Sequence, residues 1–431
     1  MLKLLIKNGT LIDPACGIGG KMDILVEDGV IIVIGNGVSD PDAQVLDASG
    51  LCVCAGLVDM HVHLRDPGLT YKEDIFTGSR AAARGGFTSI ACMPNTKPVT
   101  DTPEGIAYVL EKAKENCGVH IWPIGALSVG EQGKEMTNVR ALKKAGAVAI
   151  SDDGIPVMDA NLMRDALLRC HRSKMTVLSH CEDDNMVKGR GVNEGRISRQ
   201  LGLPGRPAIA EDIMVMRDAM LAEETRTAVH ICHISTANSV NIVRQFKRKG
   251  VQITCETCPQ YFTLTHEEVL RQGTMAKVNP PLRATKDKEA ILAGLKDGTI
   301  DCIVTDHAPH SAEEKARSLT EAPAGMVGLE TSLGLALTYL YHTGEMSLTD
   351  IVEKMTLSPA KILGLRKGFL ALGASADITI FDPNERWVVD PNQFASKGRN
   401  TPFGGMELRG KVKYTIADGR IIYSDKTGFD N

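Results

Sequence analysis

The middle of the chain alternates between short apolar runs and longer amphipathic segments. The apolar runs predict eight strands, at Leu57–His63, Phe87–Met93, Val119–Ala126, Ala147–Ser151, Met175–His180, Ala228–His233, Val251–Glu256 and Ile300–Thr305. The longer segments have apolar residues at helical spacing and predict helices at Glu104–Glu115, Asn161–Ser173, Ala210–Glu224, Ala237–Lys249 and Thr285–Lys296. Strands that alternate with helices in this way predict a (β/α)₈ TIM barrel, with a doubly wound sheet as the alternative.

Both ends of the chain have a different pattern, in which short strand-like runs are separated by turn residues. Asn8-Gly9, Asp28-Gly29 and Asp418-Gly419 lie between or beside such runs, and these dipeptides are hairpin signals. The shared pattern predicts that the ends fold together as one small β-sandwich domain, made of residues 1–54 and 366–431. The barrel would then occupy residues 55–365.

Composition narrows the class of protein. The net charge of −4 comes with Lys and Arg spread over all 431 residues, which gives no basic stripe for nucleic acid. The sequence has no apolar run of about eighteen residues and no signal-peptide pattern, so we expect a cytoplasmic protein without a membrane segment. The 11 cysteines are scattered and mostly lie in apolar runs, as buried thiols of a reducing compartment do. For the same reason Cys255 and Cys258 are interpreted as core residues and not as a redox or zinc pair.

Histidines and acids collect at the C-terminal ends of the predicted strands, where a barrel carries its chemistry. A His-x-His on a strand directs both imidazoles to one face, so His61 and His63 can reach one ion. The others are Asp152 and Asp153 after the fourth strand, His180 and His233 at the ends of the fifth and sixth, and Asp306 after the eighth. Imidazole and carboxylate are the usual non-sulfur ligands of zinc-type cations, so the pattern predicts a divalent metal site. It does not separate Asp152 from Asp153.

Several of these segments match one family. The segment from Val58 to Gly68, which contains His-Val-His-Leu-Arg-Asp-Pro-Gly, resembles the metal-binding signature of dihydroorotases. Met-Pro-Asn-Thr after the second strand and Asp-His-Ala-Pro-His after the eighth resemble further signatures of that family, as do Asn279–Arg283 and Gly328–Thr331. The resemblance covers essentially the whole chain. It implies a cyclic amide hydrolase that reversibly converts N-carbamoyl-L-aspartate to L-dihydroorotate in de novo pyrimidine biosynthesis.

The resemblance also implies a metal site with two divalent ions, by default Zn²⁺. His61, His63 and Asp306 would hold one ion, and His180 and His233 the other. Many relatives bridge the ions with a carboxylated lysine on the fourth strand, but Ala147–Ser151 contains no lysine. The resemblance therefore favours Asp153 as the bridge and gives Asp306 the additional role of moving a proton to the leaving nitrogen.

The substrate carries a free carboxylate, which a guanidinium can hold through two parallel hydrogen bonds. Arg65 follows His63 at the predicted barrel mouth and suits this role, although a structural salt bridge to Asp66 or Asp74 is the alternative. The resemblance implies that Asn95 and His310 complete the contact and that Asn279 contacts the ring. The polar loop 311–327 is a candidate lid over the mouth, with an ordinary exposed loop as the alternative.

Two other functions compete with this interpretation. One is a hydantoinase or allantoinase, because Cys258-Pro259-Gln260-Tyr261 is similar to that branch. The other is a non-catalytic dihydroorotase-like scaffold, which usually lacks metal ligands that this chain retains. The expected partner is a small-molecule substrate. The sequence leaves open whether the chain forms a homodimer and whether it associates with aspartate transcarbamoylase.

Overall fold

The computed structural model describes residues 3–115, 118–187 and 191–429. Within these ranges the strands are β1 Lys3–Asp13, β2 Ile18–Glu27, β3 Val30–Gly35, β4 Gln44–Asp47, β5 Cys52–Ala55, β6 Leu57–Val62, β7 Phe87–Cys92, β8 His120–Ala126, β9 Ala149–Ser151, β10 Thr176–Ser179, β11 Val192–Asn193, β12 Gly205–Arg206, β13 Val229–Ile231, β14 Ile253–Thr257, β15 Cys302–Ile303, β16 Ile378–Val388, β17 Glu407–Ala417, β18 Arg420–Ser424 and β19 Gly428–Phe429.

The helices of the same ranges lie mainly between the central strands. They are α1 Ile75–Arg84, α2 Pro103–Ala113, α3 Val139–Ala145, α4 Ala160–Arg172, α5 Asp184–Val187, α6 Arg196–Gln200, α7 Ile209–Thr225, α8 Ala237–Arg248, α9 Pro259–Thr263, α10 Glu268–Gln272, α11 Thr285–Lys296, α12 Ala312–Lys315, α13 Ser332–Ala336, α14 Leu348–Met355 and α15 Leu357–Leu363.

The eight predicted central strands form one parallel sheet, in the order β6-β7-β8-β9-β10-β13-β14-β15. An isolated parallel bridge between Val62 and His307 connects the first strand to the segment after the last. This contact brings the sheet round into a near-closed barrel, so the TIM-barrel prediction is confirmed and the doubly wound alternative is wrong. The carboxyl ends of all eight strands therefore surround one mouth.

The two ends of the chain fold together, as predicted, in one nine-stranded sheet of the described residues. The connection is made by β5, which pairs in parallel with β1 and antiparallel with β16. A cluster of buried apolar residues from both ends, including Leu4, Ile24 and Ile378, packs beneath this sheet and is separate from the barrel core. The boundaries at residues 54 and 366 remain predictions.

One predicted turn is wrong. Asn8-Gly9 does not connect two strands, because β1 runs without interruption from Lys3 to Asp13. The register against β2 shifts between Ile6 and Gly9, and Asn8 has φ of 64°. A Cβ on Gly9 would meet Val53 Cγ2 at 2.5 Å. The dipeptide therefore forms a bulge at which the neighbouring strand approaches closely. Asp28-Gly29 and Asp418-Gly419 do connect antiparallel strands.

A long excursion between β16 and β17 leaves the terminal sheet and reaches the barrel mouth. Asn400 donates from Nδ2 to the carbonyls of Ala308 and Gly325, and its Oδ1 accepts the N–H of His310. Ser396 and Lys397 contact Glu73 in the loop after the first barrel strand. The C-terminal part of the chain therefore helps to build the mouth.

Candidate active site

Four imidazoles and two carboxylates meet at the barrel mouth, and each comes from the end of a different strand except for the His61 and His63 pair. His61 lies on β6 and His63 directly after it. Asp153, His180, His233 and Asp306 follow β9, β10, β13 and β15, respectively. All six side chains are buried, with no residue more than 7% exposed. The residues that the sequence placed at separate strand tips are therefore neighbours in space.

Asp153 lies between two pairs of histidines. Its Oδ2 is 3.4 Å from His61 Nε2 and 3.3 Å from His63 Nε2. Its Oδ1 is 3.4 Å from His180 Nδ1 and 3.3 Å from His233 Nε2. Each oxygen of one carboxylate thus faces a different imidazole pair, which is the arrangement that a carboxylate bridging two cations requires.

The first pair also has a carboxylate of its own. Asp306 Oδ1 lies 3.2 Å from His63 Nε2 and 3.6 Å from His61 Nε2. In the second pair, His180 Nδ1 and His233 Nε2 are 3.0 Å apart. Two nitrogens bound tetrahedrally to zinc at about 2.05 Å would be separated by roughly 3.3 Å. Both donor sets therefore have a spacing that a divalent cation can satisfy.

Unpartnered buried atoms provide an independent test of this fit. Neither His61 Nε2 nor Asp153 Oδ1 makes a hydrogen bond of acceptable geometry to a described residue. Leaving buried polar atoms without partners is costly, and such atoms commonly mark a bound ion or a functional site.

The surrounding carboxylates make the region favourable for positive charge. Although burial opposes charge on His61, Asp153 and Glu256 raise its pKa well above the usual value.

Asp152 and Asp153 differ in position, and their carboxylates therefore make different contacts. Asp152 Oδ1 accepts the N–H groups of Leu127 and Ser128 at 2.7 and 2.9 Å, and its Oδ2 accepts the Ser128 hydroxyl. These bonds hold the loop after β8. Because successive residues at the strand end point in different directions, only Asp153 faces the imidazoles.

A further layer of side chains orients these histidines, and sequence reasoning missed it. Glu256 Oε1 accepts a hydrogen bond from His61 Nδ1 at 2.6 Å, which directs His61 Nε2 toward Asp153. Glu256 Oε2 lies 3.1 Å from His230 Nε2, and His230 Nδ1 contacts Thr254 Oγ1 at 2.8 Å. Metal-binding histidines usually give their other nitrogen to a carboxylate in this way. The signal was present, since Glu256 ends the seventh predicted strand as the histidines end theirs.

Two of the site residues, and Arg65 beside them, have backbone conformations that side chains rarely adopt. The φ angles are 32° at His233, 48° at Asp306 and 61° at Arg65. Left-handed backbone at non-glycine residues costs free energy and collects at functional sites. These residues turn the chain sharply at the strand ends, which brings their side chains over the mouth.

Arg65 is buried beside this cluster and pairs with no carboxylate of the described ranges. Among the described residues, its Nε donates to Pro309 O at 3.3 Å and its NH2 lies 3.5 Å from His310 Nε2. Asp66 instead accepts from the Tyr108 hydroxyl, and Asp74 pairs with Lys397. The structural salt bridge to either acid is therefore wrong. A buried guanidinium with spare N–H groups suits an anionic ligand.

Asn95 and Asn279 have different surroundings. Asn95 Oδ1 accepts from His63 Nδ1 at 2.9 Å, and its Nδ2 donates to the carbonyl of Asp153 at 3.3 Å. Asn95 therefore fixes the orientation of His63. The amide oxygen of Asn279 is buried and has no hydrogen-bond partner among the described residues. It is available to accept an N–H group from a ligand.

The loop 311–327 is held down by two buried lysines. Lys277 donates to the carbonyls of Leu319 and Ala322, and Lys315 donates to those of Pro323 and Gly325. Burial, together with the neighbouring Lys277, lowers the pKa of Lys315 to about 7. The hydrogen bonds of the two lysines therefore hold the loop beside His310. Whether it acts as a lid stays a prediction.

Two other groups of potential ligands are structural. Cys255 and Cys258 are buried free thiols, and burial raises their pKa values, which disfavours the reactive thiolate. His120 and Asp377 lie at the opposite end of the barrel from the mouth, where the ammonium of Lys367 already contacts both. No helix in the described ranges has the length and apolar character needed to cross a membrane.

Comparisons with known proteins agree with this geometry. A family model described as dihydro-orotase-like matches residues 50–239. The dihydroorotase of Acetivibrio thermocellus is 51% identical over 423 residues, covering 98% of this chain and 99% of the relative. The dihydroorotase of Aquifex aeolicus is 49% identical and covers 99% of this chain and 100% of the relative.

Solved structures with the same fold include a hydantoinase and a dihydropyrimidinase. The L-hydantoinase of Arthrobacter aurescens superposes with a TM-score of 0.87 at 28% identity, over 98% of this chain and 96% of that one. The dihydropyrimidinase of Brevibacillus agri superposes with a TM-score of 0.86 at 24% identity, over 99% of this chain and 96% of that one.

Proposed function

Because the chain belongs to the dihydroorotase family, we propose that it catalyses the reversible cyclisation of N-carbamoyl-L-aspartate to L-dihydroorotate in pyrimidine biosynthesis. Relatives of this name are about half identical over nearly the full length, whereas the hydantoinase structure is 28% identical. The observation that carries the proposal is the position of Asp153, whose two carboxylate oxygens face two different histidine pairs.

The residues fit a pair of divalent cations, for which Zn²⁺ is the natural choice given four imidazoles and two carboxylates. His61, His63 and Asp306 would hold one cation, His180 and His233 the other, and Asp153 would bridge them. When bound, the cations would lower the pKa of water toward about 7 and polarise the amide carbonyl. The unpartnered atoms His61 Nε2 and Asp153 Oδ1 support this assignment.

The protein's own groups would supply proton transfer and orientation. Asp306 lies at the mouth within 3.2 Å of His63 Nε2, in a position to accept a proton from the attacking water and return it to the ring nitrogen as the amide opens. Arg65, Asn95 and His310 would orient the substrate through its free carboxylate, and Asn279 would accept a hydrogen bond from the ring. Cyclisation would use the same groups in reverse.

The decisive experiment is a hydrolysis assay on purified, metal-loaded protein, with the metal content measured on the same sample. We expect turnover of dihydroorotate, and no comparable turnover of hydantoin or allantoin, which lack its carboxylate. Preference for hydantoin would favour the cyclic amidase of the related structures. Less than one metal per chain, together with no turnover of any substrate, would favour a non-catalytic scaffold.

Two further parts of the proposal concern cellular context. A reducing compartment, the cytoplasm, is supported by the ten described cysteines, all of which are free thiols. A homodimer and an association with aspartate transcarbamoylase are the two assemblies that the sequence leaves open. Light scattering of the purified chain, with and without the transcarbamoylase of the same cell, tests both.

A further inference from the structure

The pocket beside Arg65 contains a second cation, Lys72, which the sequence did not single out. Its side chain is 11% exposed, in the loop between β6 and α1. The ammonium lies 2.9 Å from Glu314 Oε1 and 3.3 Å from His310 Nδ1. Lys72 therefore contacts a residue already proposed to bind the substrate carboxylate.

The two cations of this pocket share one contacting carboxylate among the described residues. Arg65 and Lys72 bring two positive charges, and Glu314 on α12 brings one negative charge. Glu314 is also bound by the Tyr71 hydroxyl at 2.9 Å and by the backbone N–H of Ser311. Asp306 and Asp153 also act on Arg65 through space, but no described carboxylate contacts it. Because buried charges are most stable when they are paired directly, Arg65 is the cation that lacks a contacting anion. One carboxylate from a ligand would supply it.

His310 stays neutral in this environment. Burial, with Arg65 and Lys72 nearby, lowers the pKa of His310 below its usual value. His310 Nδ1 faces two groups, Lys72 at 3.3 Å and Glu314 Oε2 at 3.5 Å. The carboxylate makes no hydrogen bond to the ring, and Lys72 can only donate, so His310 Nδ1 accepts and the ring proton lies on Nε2. That assignment agrees with the 2.8 Å hydrogen bond from Nε2 to the carbonyl of Ala324, and the same N–H would be shared with the carboxylate of a bound ligand. The NH2 group of Arg65 therefore faces the Nε2–H of His310, which is a donor and cannot accept a hydrogen bond. The N–H groups of this NH2 stay available for a ligand.

We propose that Lys72 is a specificity-determining residue of the substrate carboxylate pocket, which supplies the second positive charge and fixes the tautomer of His310. Among the described residues, Glu314 and His310 accept two of its three N–H groups, which leaves one for the ligand. The ligand class is a cyclic amide with an attached carboxylate. This inference rests on the proposed function, because it refines how that substrate is bound.

Steady-state kinetics of the metal-loaded enzyme with dihydroorotate test the inference. We expect Lys72→Met to raise KM roughly ten- to a hundredfold, the usual effect of losing a charged hydrogen bond, with kcat within about threefold. Lys72→Arg keeps the charge and should raise KM less. Lys134→Met is the matched control, because Lys134 is an exposed lysine in the loop after β8, outside the proposed pocket, and the KM of this variant should not change.

Nitrogen-15 NMR of histidine-labelled protein gives a readout that a purely structural role would not move. In the wild type the His310 resonances, assigned by comparison with His310→Asn, should show an unprotonated Nδ1. Lys72→Met should shift them toward the other tautomer or the charged ring. If Lys72→Met does not fold, Lys72→Gln replaces it in both measurements.

The outcomes separate the two proposals. If the wild type hydrolyses dihydroorotate and Lys72→Met behaves as Lys134→Met does, the role of Lys72 is wrong and the proposed function stands. A fall in kcat at unchanged KM would equally overturn the role of Lys72. No hydrolysis by the metal-loaded wild type would instead contradict the proposed function.

Discussion

At the scale of single residues, the site depends on which atom each side chain presents to the centre. Glu256 holds His61 by Nδ1 and Asn95 holds His63 by Nδ1, so both rings present Nε2 to Asp153 and Asp306. Such orientation reduces the entropy lost when a cation binds. Glu256, which has no proposed contact with the substrate, therefore contributes to the chemistry through the ring that it fixes.

Asp153→Asn should separate the bridging residue from its neighbour. An amide presents only one oxygen, so it cannot face both histidine pairs with a negative charge. We expect the purified variant to lose at least one metal per chain after dialysis and to lose nearly all turnover. Asp152→Asn is the control and should keep its metals, because Asp152 binds the β8 loop. Full metal content in Asp153→Asn would contradict the bridge.

Arg65→Met should weaken substrate binding while leaving the metal site intact. Because the buried guanidinium pairs with no described carboxylate, its removal breaks no ion pair within the protein, and the main effect is on substrate binding. We expect KM for dihydroorotate to rise roughly a hundredfold or more at unchanged metal content. An unchanged KM would remove Arg65 from the substrate pocket.

Glu256→Gln tests the orienting layer. The amide keeps the shape but removes the charge that holds His61, and we expect metal affinity to fall about 10–100-fold. Competition with a chromophoric chelator measures this affinity without using activity. Thr254 lies at the other end of the series of hydrogen bonds that includes Glu256, so Thr254→Val should lower the metal affinity much less. Equal affinities for Glu256→Gln and the wild type would limit Glu256 to a packing role.

At the scale of elements, the barrel mouth is made by loops from distant parts of the sequence. The excursion between β16 and β17 binds the segment after β15 through Asn400 and the start of α1 through Ser396 and Lys397. Its other anchor is Glu330, which accepts the backbone N–H groups of Ala395 and Ser396 and pairs with Arg84 at 3.4 Å. The barrel and the terminal sheet therefore share an interface at the mouth.

Glu330 makes the stability of this interface depend on pH. Burial raises its pKa from 4.5 to about 7 in the folded chain. Between these values the unfolded state releases the proton and the folded state keeps it, so the stability contributed by protonated Glu330 falls as pH rises from about 4.5 to about 7.

Glu330→Gln, which stays neutral, should lose stability less steeply over that range. Urea unfolding of both proteins at pH 5, 6, 7 and 8 measures their free energies of unfolding. We expect the free energy of the variant to increase relative to that of the wild type up to about pH 7 and the difference to stay constant above it. Parallel curves for the two proteins would mean that Glu330 is already ionised when folded.

At the scale of the whole molecule, the six candidate ligands span the chain from His61 to Asp306. Cations held by them would connect five strand ends, and a ligand that binds only the folded state stabilises it by mass action. Removal of metal by a chelator should therefore lower Tm by several degrees, and added Zn²⁺ should restore it. Asp153→Asn should show a smaller response. An identical Tm with and without metal would mean that the ligands do not form one site.

The sequence by itself determined the repeat of strands and helices, the pairing of the two chain ends and the residues at each strand tip. These follow from local patterns, because apolar periodicity decides which segments are buried and the parallel order places their carboxyl ends together. The sequence indicated that a helix ends at Gly85 but not where this helix, α1, begins. Asp74 and Thr77 form a capping box at its start, but its buried face consists mainly of alanines, with one glycine.

Only the tertiary structure decided which atoms meet. The local pattern could not distinguish Asp152 from Asp153, since both follow the same strand and a change of one residue reverses the direction of a side chain. It could not connect His310 with Lys72, or His61 with Glu256, because each contact joins segments far apart in sequence. Distances between remote loops are set by the packing of the barrel and the terminal sheet, and no local pattern contains that information.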